Sequence, residues 1–447
     1  MASSRNKPSV KLAERVATRL RQFVRAGDRF VVGLSGGLDS VVLLHTLTTL
    51  QSELGFRLAA LHVHHGLSPN ADDWLKFASQ LCESWHVPFR AEHVCVDDLA
   101  SEGTEAAARR ARYQSYARQE ADWLVLAHHR DDQAETLLLN LLRGSGVSGA
   151  SAMPLTRSVQ GGGQLRLLRP LLDVSRAELE TYARDANLVW VDDESNRDPR
   201  YARNFLRHEI FPRLRERFPA CDVVLSRAAT HFTEAAALLE SLAQIDASAV
   251  LLDGRIVIAE FAKLEEVRAR NLLRHVLRRE GLRMPDTVRL AEMARQIRTA
   301  AVDRQLAFDV DGRTLHAFRG EVWLVQRLEP PPCTLAWQGE ATLRWGACWL
   351  SFKAVVGEGI SQKKLVSTQV SITSRGGGER LQPDCRRPRR TLKKLLQEFG
   401  IPPWERTALP LLWVKDDLVW VPGVGTDCQY QCESGEPGWL VSWEQAS

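Results

Sequence analysis

The sequence predicts an α/β protein in three parts: an N-terminal domain on a parallel sheet, a mostly helical middle domain, and a β-rich, α+β C-terminal domain. Three observations carry that reading. Through roughly residue 215, apolar β-runs alternate with amphipathic helices, the pattern of a parallel sheet. From Cys221 to Ala300 apolar residues recur at helical spacing with no long β-run between them. Beyond Glu329-Pro330-Pro331-Pro332, whose prolines interrupt regular structure, the chain is β-rich and carries tryptophans at 337, 345 and 349. A chain of 447 residues also exceeds what one compact core usually holds. The changes of pattern place boundaries at 1–218, 219–328, 329–365 (a β-rich linking region) and 366–447.

Each element follows from local pattern. The chain as far as Leu20 reads as a polar tail entering a basic amphipathic helix, without the apolar stretch and small-residue cleavage site of a signal peptide. Strands are expected at Arg29–Leu34, Leu58–His64, Phe89–Cys95 and Trp123–Ala127. Helices are expected at Asp39–Leu50, Ala71–Trp85, Glu105–Gln119 and Asp132–Leu142. The Gly161–Gly163 run reads as a mobile loop. In the middle section, Ala228–Leu242, Leu264–Glu280 and Asp286–Thr299 carry helical periodicity, and strands Arg304–Asp309 and Val322–Arg327 close it. The last unit encloses one helix, Thr391–Phe399.

Composition narrows the function classes. No apolar run reaches the ~18 residues of a membrane span, so the protein is expected in the cytoplasm with no membrane partner. The eight cysteines (82, 95, 221, 333, 348, 385, 428 and 432) form no CxxC pair, so reduced thiols are expected and a structural zinc is not. A net charge of +4 says little, but its distribution says more. Residues 1–30 hold eight Lys/Arg (5, 7, 11, 15, 19, 21, 25, 29) against two acids, and residues 375–394 hold eight (375, 380, 386, 387, 389, 390, 393, 394) against two. Two basic islands far apart suit a long polyanion better than a small metabolite.

The strongest motif is Ser35-Gly36-Gly37-Leu38-Asp39-Ser40, at the junction of an apolar strand and an apolar helix. Glycines let amide N–H groups face a ligand, and the helix adds its positive end, which together make a pyrophosphate site. Ser35 and Ser40 add hydroxyl donors, and Asp39 can hold Mg²⁺. The bland reading, a strand–helix turn capped by Asp39, leaves the full string unexplained. No GK[ST] follows, so this is not a Walker loop; it resembles the PP-loop of the N-type ATP pyrophosphatases, which cleave ATP between the α and β phosphates. That likeness implies a PP-loop fold and bound ATP.

His128-His129-Arg130-Asp131-Asp132-Gln133-Ala134-Glu135 opens the fourth helix. Asp131, Asp132 and Glu135 can share one helix face and serve Mg²⁺ or a cationic amine. Against this, Asp132-x-x-Glu135 has the form of a capping box, and on this stretch alone the two readings stand level. The C-terminal edge of the sheet, where α/β ligands bind, favours function. Strand alternation puts His62 and His64 on one face; lacking a third ligand, they read as sheet-edge histidines near the nucleotide. Arg109 and Arg112 share a helical face that charge alone would leave as a solvated surface.

In order along the chain, His62–Leu67, the Glu105–Tyr113 helix, His129–Thr136, Leu141–Gly146, Arg169–Leu172, Asp193-Glu194-Ser195-Asn196, Arg203–Arg207 and 390–412 resemble the tRNA(Ile)-lysidine synthetases. Arg130 departs from the smaller or apolar residue expected there. The resemblance implies ATP-dependent adenylation of the wobble cytidine 2-oxo group in tRNA(Ile) with anticodon CAU, followed by displacement of AMP by the ε-amine of free L-lysine. It implies that Ser35, Gly36, Gly37, Leu38, Asp39 and Ser40, with His62 and His64, serve ATP, and that Asp39 and Asp132 serve Mg²⁺. Asp39, Asp131, Asp132, Glu135, Arg109 and Arg112 would form the reacting centre. Arg143, Arg203, Asn204 and Arg207 would meet substrate, and Arg386, Arg387, Arg389 and Arg390 would grip tRNA phosphates without touching that centre. A tRNA thiolase is disfavoured because only Cys82 and Cys95 precede residue 220. An NAD-synthetase-like amidotransferase leaves the basic C-terminal unit unused, and a non-enzymatic sensor or RNA binder leaves the carboxylates unused.

Overall fold

The computed structural model describes residues 8–66, 68–95, 104–159, 161, 163–194, 198–300, 306–326, 334–365 and 368–445. Arg5, Lys7, Ser195, Asn196, Cys333 and the Glu329–Pro332 punctuation lie outside them, as do Gly162 and residue 304. The chain forms two compact units, Met1–Ser241 and Leu242–Ser447.

The first unit runs α1 (Pro8–Leu20), β1 (Arg29–Gly33), α2 (Leu38–Leu54), β2 (Arg57–His64), α3 (Ala71–Ser84), β3 (Phe89–His93), α4 (Thr104–Ala117), β4 (Trp123–Val125), α5 (Arg130–Leu142), α6 (Val147–Ala150), β5 (Thr156–Ser158), β6 (Arg166–Leu168) and α7 (Arg176–Asp185). After these come α8 (Ala202–Phe205), a π-helical turn at Leu206–Ile210, α9 (Phe211–Arg217) and α10 (Cys221–Val250), which continues past residue 241. The sheet order is β3-β2-β1-β4-β6-β5. All neighbours are parallel except β5, which turns back antiparallel on β6. The chain builds outward from β1 through β2 to β3, then crosses back to β4 on the other side of β1. Loops leaving β1 and β4 therefore diverge to opposite faces and open a crevice at the strand C-termini.

Burial explains α2. Val41, Val42, Leu43, Leu44 and Leu47 are all fully buried, and together with Leu12, Val16 and Leu20 of α1 and Leu179 of α7 they form the core. Each such side chain contributes about 1.5–3 kcal/mol relative to exposure. Among the described residues, four of the eight basic residues of the N-terminal island form ion pairs: Arg15 and Arg19 pair with Asp173, Arg15 also with Glu178, Arg21 with Glu53 and Arg29 with Asp122. Arg15 and Arg19 hold the first helix against the segment around Asp173.

The second unit departs further from the sequence expectation. Its helices α11 (Ile258–Lys263), α12 (Glu266–Arg279) and α13 (Thr287–Arg298) form a core with the five-stranded antiparallel sheet β7-β8-β11-β10-β9. Its strands are β7 (Leu251–Leu252), β8 (Arg255–Val257), β9 (Ala307–Val310), β10 (Arg313–Phe318) and β11 (Glu321–Gln326). The sequence reading found β9 and β11 and missed β7, β8 and β10. The missed signal lay in the turns: Asp253-Gly254, Asp311-Gly312 and Arg319-Gly320 all have positive φ at both residues, the requirement of a tight hairpin turn.

The remainder comprises β12 (Thr334–Trp337), β13 (Thr342–Trp345), β14 (Cys348–Val356), β15 (Ile360–Ser361), α14 (Gln362–Leu365), β16 (Val370–Thr373), β17 (Arg380–Leu381), β18 (Arg390–Thr391), α15 (Leu392–Glu398), α16 (Pro403–Arg406), β19 (Leu411–Val414), β20 (Asp417–Val421), β21 (Gly425–Thr426) and β22 (Pro437–Gln445). Two antiparallel sheets, β12-β16-β19-β20-β21 and β13-β14-β22-β15, share a tryptophan-rich core around Trp345 and Trp420. The expected helix is α15; the single turns α14 and α16 were not anticipated.

Candidate active site

The loop after β1 enters the crevice. Gly36 has φ +86, and a Cβ there would stand 2.9 Å from Val191 Cγ2, so only glycine fits. The closeness arises because Val191 N–H donates to Gly36 O at 3.0 Å, laying residues 188–194 across the loop. Glu194 anchors the far end of that segment by accepting from Ser68 Oγ (2.6 Å) and Asn70 Nδ2 (3.2 Å).

The two serines brace the loop itself. Ser40 Oγ donates to Gly37 O at 2.9 Å and accepts from Ser35 N–H at 3.2 Å, while Ser35 Oγ accepts from Gly37 N–H at 3.3 Å. Leu38 sends its side chain into the core, so its backbone alone is left for a ligand. Gly37 caps α2 without a side-chain bond, which leaves first-turn amides facing the crevice as an anion site.

The loop after β4 brings the carboxylates to the same place. His129, 0% exposed, stands between three of them: Nε2 lies 3.6 Å from Asp39 Oδ2 and 3.5 Å from Asp132 Oδ2, and Nδ1 lies 3.6 Å from Asp131 Oδ2. Burial opposes its charge, but Asp132, Asp131 and Asp39 outweigh burial and carry its pKa up to about 10. The imidazole thus stands between the phosphate loop and the carboxylate helix, within 3.6 Å of three carboxylates though without a hydrogen bond to any of them. The sequence reading quoted His129 without giving it a role.

The capping question resolves in a different register. Asp132 does cap: its Oδ2 accepts the His129 backbone N–H at 2.9 Å. Glu135 takes no part in the cap. Asp132 Oδ1 accepts from Arg203 Nη2 (2.8 Å) and Arg207 Nη2 (3.0 Å). Glu135 accepts from Arg203 Nε (2.9 Å) and from Arg207 Nε (2.7 Å) and Nη2 (2.9 Å). The arginines sit four apart across α8 and the π-helical turn, so both reach the same two carboxylates. The result is a charge-balanced, mostly buried array of two carboxylates and two guanidinium groups. Asn204, between them, donates Nδ2 to Asp198 O at 3.0 Å and so holds the preceding turn.

As for a cation, among the described residues no group of three His, Cys, Asp or Glu side chains has metal-ligand geometry. Asp39 Oδ1 is buried without a hydrogen-bond partner, so a hard oxygen donor is available beside the anion site. That fits Mg²⁺ held largely by phosphates and water. Both oxygens of Asp132 already carry hydrogen bonds.

The histidines divide. His62 is buried, its Nδ1 2.9 Å from Leu34 O, and burial lowers its pKa. His64 instead faces Asp72 at 3.0 Å and packs against His93. Arg109 lies over the Tyr113 ring at 5.2 Å, and Arg112 acts on His65, which burial and that charge hold down at about 4. Beneath them Arg169, 1% exposed and given no role by the sequence reading, donates Nη1 to Pro154 O (2.7 Å) and Nε to His128 Nδ1 (3.2 Å). Arg143 closes α5 with an exposed side chain. Arg130, the departure noted in the sequence, is tucked under α7, its Nη1 3.3 Å from Asp173 O.

The His128 contact predicts a pH dependence. Arg169 needs a free lone pair on Nδ1, and burial pushes the His128 pKa from 6.5 down to about 3. The unfolded chain takes up a proton below about 6.5 that the folded site refuses, so stability should fall as pH drops through that range, by at most ~1.4 kcal/mol per unit from this group. Thermal midpoints at about pH 7 and 5 should differ less in His128→Gln than in the parent; equal losses would exclude His128 as the cause.

Comparison with known proteins gives matches along almost the whole chain. Residues 11–214 match the PP-loop domain family, 257–323 the TilS substrate binding domain and 370–443 the TilS substrate C-terminal domain. A tRNA(Ile)-lysidine synthase of Nitrosomonas europaea is 44% identical over 447 residues, covering 99% of this chain and 98% of the relative. One of Aromatoleum aromaticum is 43% identical, covering 94% and 98%, and one of an Azoarcus species is 41% identical, covering 98% and 97%. With a PP-loop crevice, a substrate-binding domain and similarity along almost its full length, the chain belongs to the tRNA(Ile)-lysidine synthase family.

Proposed function

We propose that the crevice adenylates the 2-oxo group of the wobble cytidine of tRNA(Ile) with anticodon CAU and then admits free L-lysine, whose ε-amine displaces AMP to give lysidine. As a member of its family the protein forms lysidine at the wobble position of tRNA(Ile), with ATP bound by its PP-loop domain. The finer assignments are ours. The amides of the loop and of the first turn of α2 hold pyrophosphate, and Asp39 holds Mg²⁺, which when bound neutralises charge on the departing phosphates. Arg109 and Arg112 face the phosphate or the cytidine, and Arg143 and Asn204 border the tRNA path.

The observation that carries the lysine assignment is the Asp132–Glu135–Arg203–Arg207 array, joined to Asp39 through His129. Free lysine bears both signs of charge, and this array offers both: its carboxylates can receive an ammonium and its guanidinium groups a carboxylate. The test is release of AMP from ATP by the protein with tRNA(Ile) transcripts, with and without lysine. Expected is pyrophosphate only with C at the wobble position, and AMP together with lysidine only when lysine is added, since lysine is what displaces AMP. AMP release without tRNA would overturn the reading.

For tRNA grip the C-terminal arginines are not equivalent. Arg389 binds Asp427, which is 0% exposed, at 3.0 Å, so it holds the fold together. Arg387 and Arg390 share Glu398 at 3.4 and 2.7 Å. Arg386 is exposed and its side chain has no carboxylate partner among the described residues. The variant that tests phosphate contact is therefore Arg386→Ala with Arg387→Ala, sparing Arg389. The dependence of log tRNA affinity on log salt should flatten by about 0.7–0.9 per lost contact, with ATP affinity unchanged. Identical slopes would show that this island does not meet tRNA.

A further inference from the structure

One charged chain at the crevice is left over by the site as described. Arg215 in α9 grips Asp222, in the first turn of α10, at two points: Nε to Oδ2 at 2.7 Å and Nη2 to Oδ1 at 3.0 Å. The same Nη2 stands 3.3 Å from Asp131 Oδ1. The other Asp131 oxygen accepts the Arg176 backbone N–H at 3.0 Å and faces His129 Nδ1 at 3.6 Å. Asp131 is thus held from three sides, and one of them is an arginine whose own orientation is fixed from behind.

The geometry is that of an orienting partner. A carboxylate facing only His129 could rotate away; Arg215 and the Arg176 amide set the plane of the group. The guanidinium is suited to the task because its fork is planar and pre-organised, so bridging two carboxylates orders few further rotors. Its anchor is also secure, since a carboxylate in the first turn of a helix is favoured by the helix's positive end.

We propose that Arg215, clamped by Asp222, is a positioning residue for lysidine formation: it fixes Asp131, and through Asp131 the ring of His129 between Asp39 and Asp132. The inference rests on the reading above that Asp131 belongs to the reacting centre.

The test is a double-mutant cycle on the full-length protein with Asp131→Asn, Arg215→Gln and both together. It measures kcat for lysidine formation, KM for ATP, lysine and tRNA, and the thermal midpoint. Removing a partner that orients a working group typically costs about 10–100-fold in rate. Arg215→Gln should lower kcat by that factor with KM for tRNA unchanged, and the double variant should be no slower than Asp131→Asn alone. Arg215→Lys, which keeps charge and loses the fork, should recover only part of the rate. If Arg215→Gln does not fold, Asp222→Asn serves instead and should lower kcat in the same non-additive way. Losses that multiply in the double variant, or track the thermal midpoint, would make Arg215 merely structural and overturn the proposal. Asp131→Asn at full speed would remove both this inference and the site reading, whereas a slow Asp131→Asn beside a wild-type-speed Arg215→Gln would remove the inference alone.

Discussion

Asp39→Ala is expected to reduce AMP formation by on the order of 10²–10³-fold or more, the scale of losing a preorganised group that stabilises transition-state charge. Two features of the structure make this residue decisive. Its Oδ1 is buried and unpartnered beside the amides of the α2 turn, the place where a phosphate-bound cation would need an oxygen. Its Oδ2 also belongs to the trio of carboxylates that surrounds His129. Asp131 and Asp132 remain to hold the imidazolium in the variant, so the fold should survive. The measurement is ATP-dependent AMP release with tRNA and lysine present, alongside a thermal midpoint. Near-normal turnover in a folded variant would sink the assignment of this loop to catalysis.

Glu135→Gln is expected to lose activity by orders of magnitude and to be markedly less stable. Read from sequence as one half of a capping box, Glu135 would be worth only about 1–2 kcal/mol and its replacement would keep activity; read as a functional carboxylate, its replacement would cut activity with little change in melting temperature. The structure changes that expectation. Glu135 is nearly fully buried and accepts three hydrogen bonds from Arg203 and Arg207, so neutralising it leaves two enclosed cations with one carboxylate between them. Breaking a buried pair in this way costs about 3–5 kcal/mol. Glu135→Gln combined with Arg207→Gln should recover much of the stability, because charge balance returns, and none of the activity. A thermal midpoint and an AMP assay on the three variants check this. A single variant both stable and active would show that Glu135 is needed neither for the charge balance of the array nor for the reaction.

The two cases show where a linear reading runs out. SGGLDS was legible because its chemistry is local: glycines, a helix start and an acid within six residues make an anion site wherever a strand feeds a helix. The alternation of apolar strands and helices was legible for the same reason, since periodicity is a short-range property. The hairpins of the second unit were legible in principle, through Asp253-Gly254 and Asp311-Gly312, and were missed because the helical periodicity around them is stronger.

Pairing between distant residues was not legible. Arg203 and Arg207 meet a helix some 70 positions earlier, Arg169 comes under His128 from 41 positions away, and Arg389 is claimed by Asp427. In sequence each is one arginine among many in charged stretches, equally suited to phosphate, carboxylate or solvent. By itself the sequence determined the fold class, the phosphate loop and the family. Tertiary structure alone decided which charges neutralise one another, because an ion pair depends on distance and burial, and those are set by how elements far apart in the chain pack together.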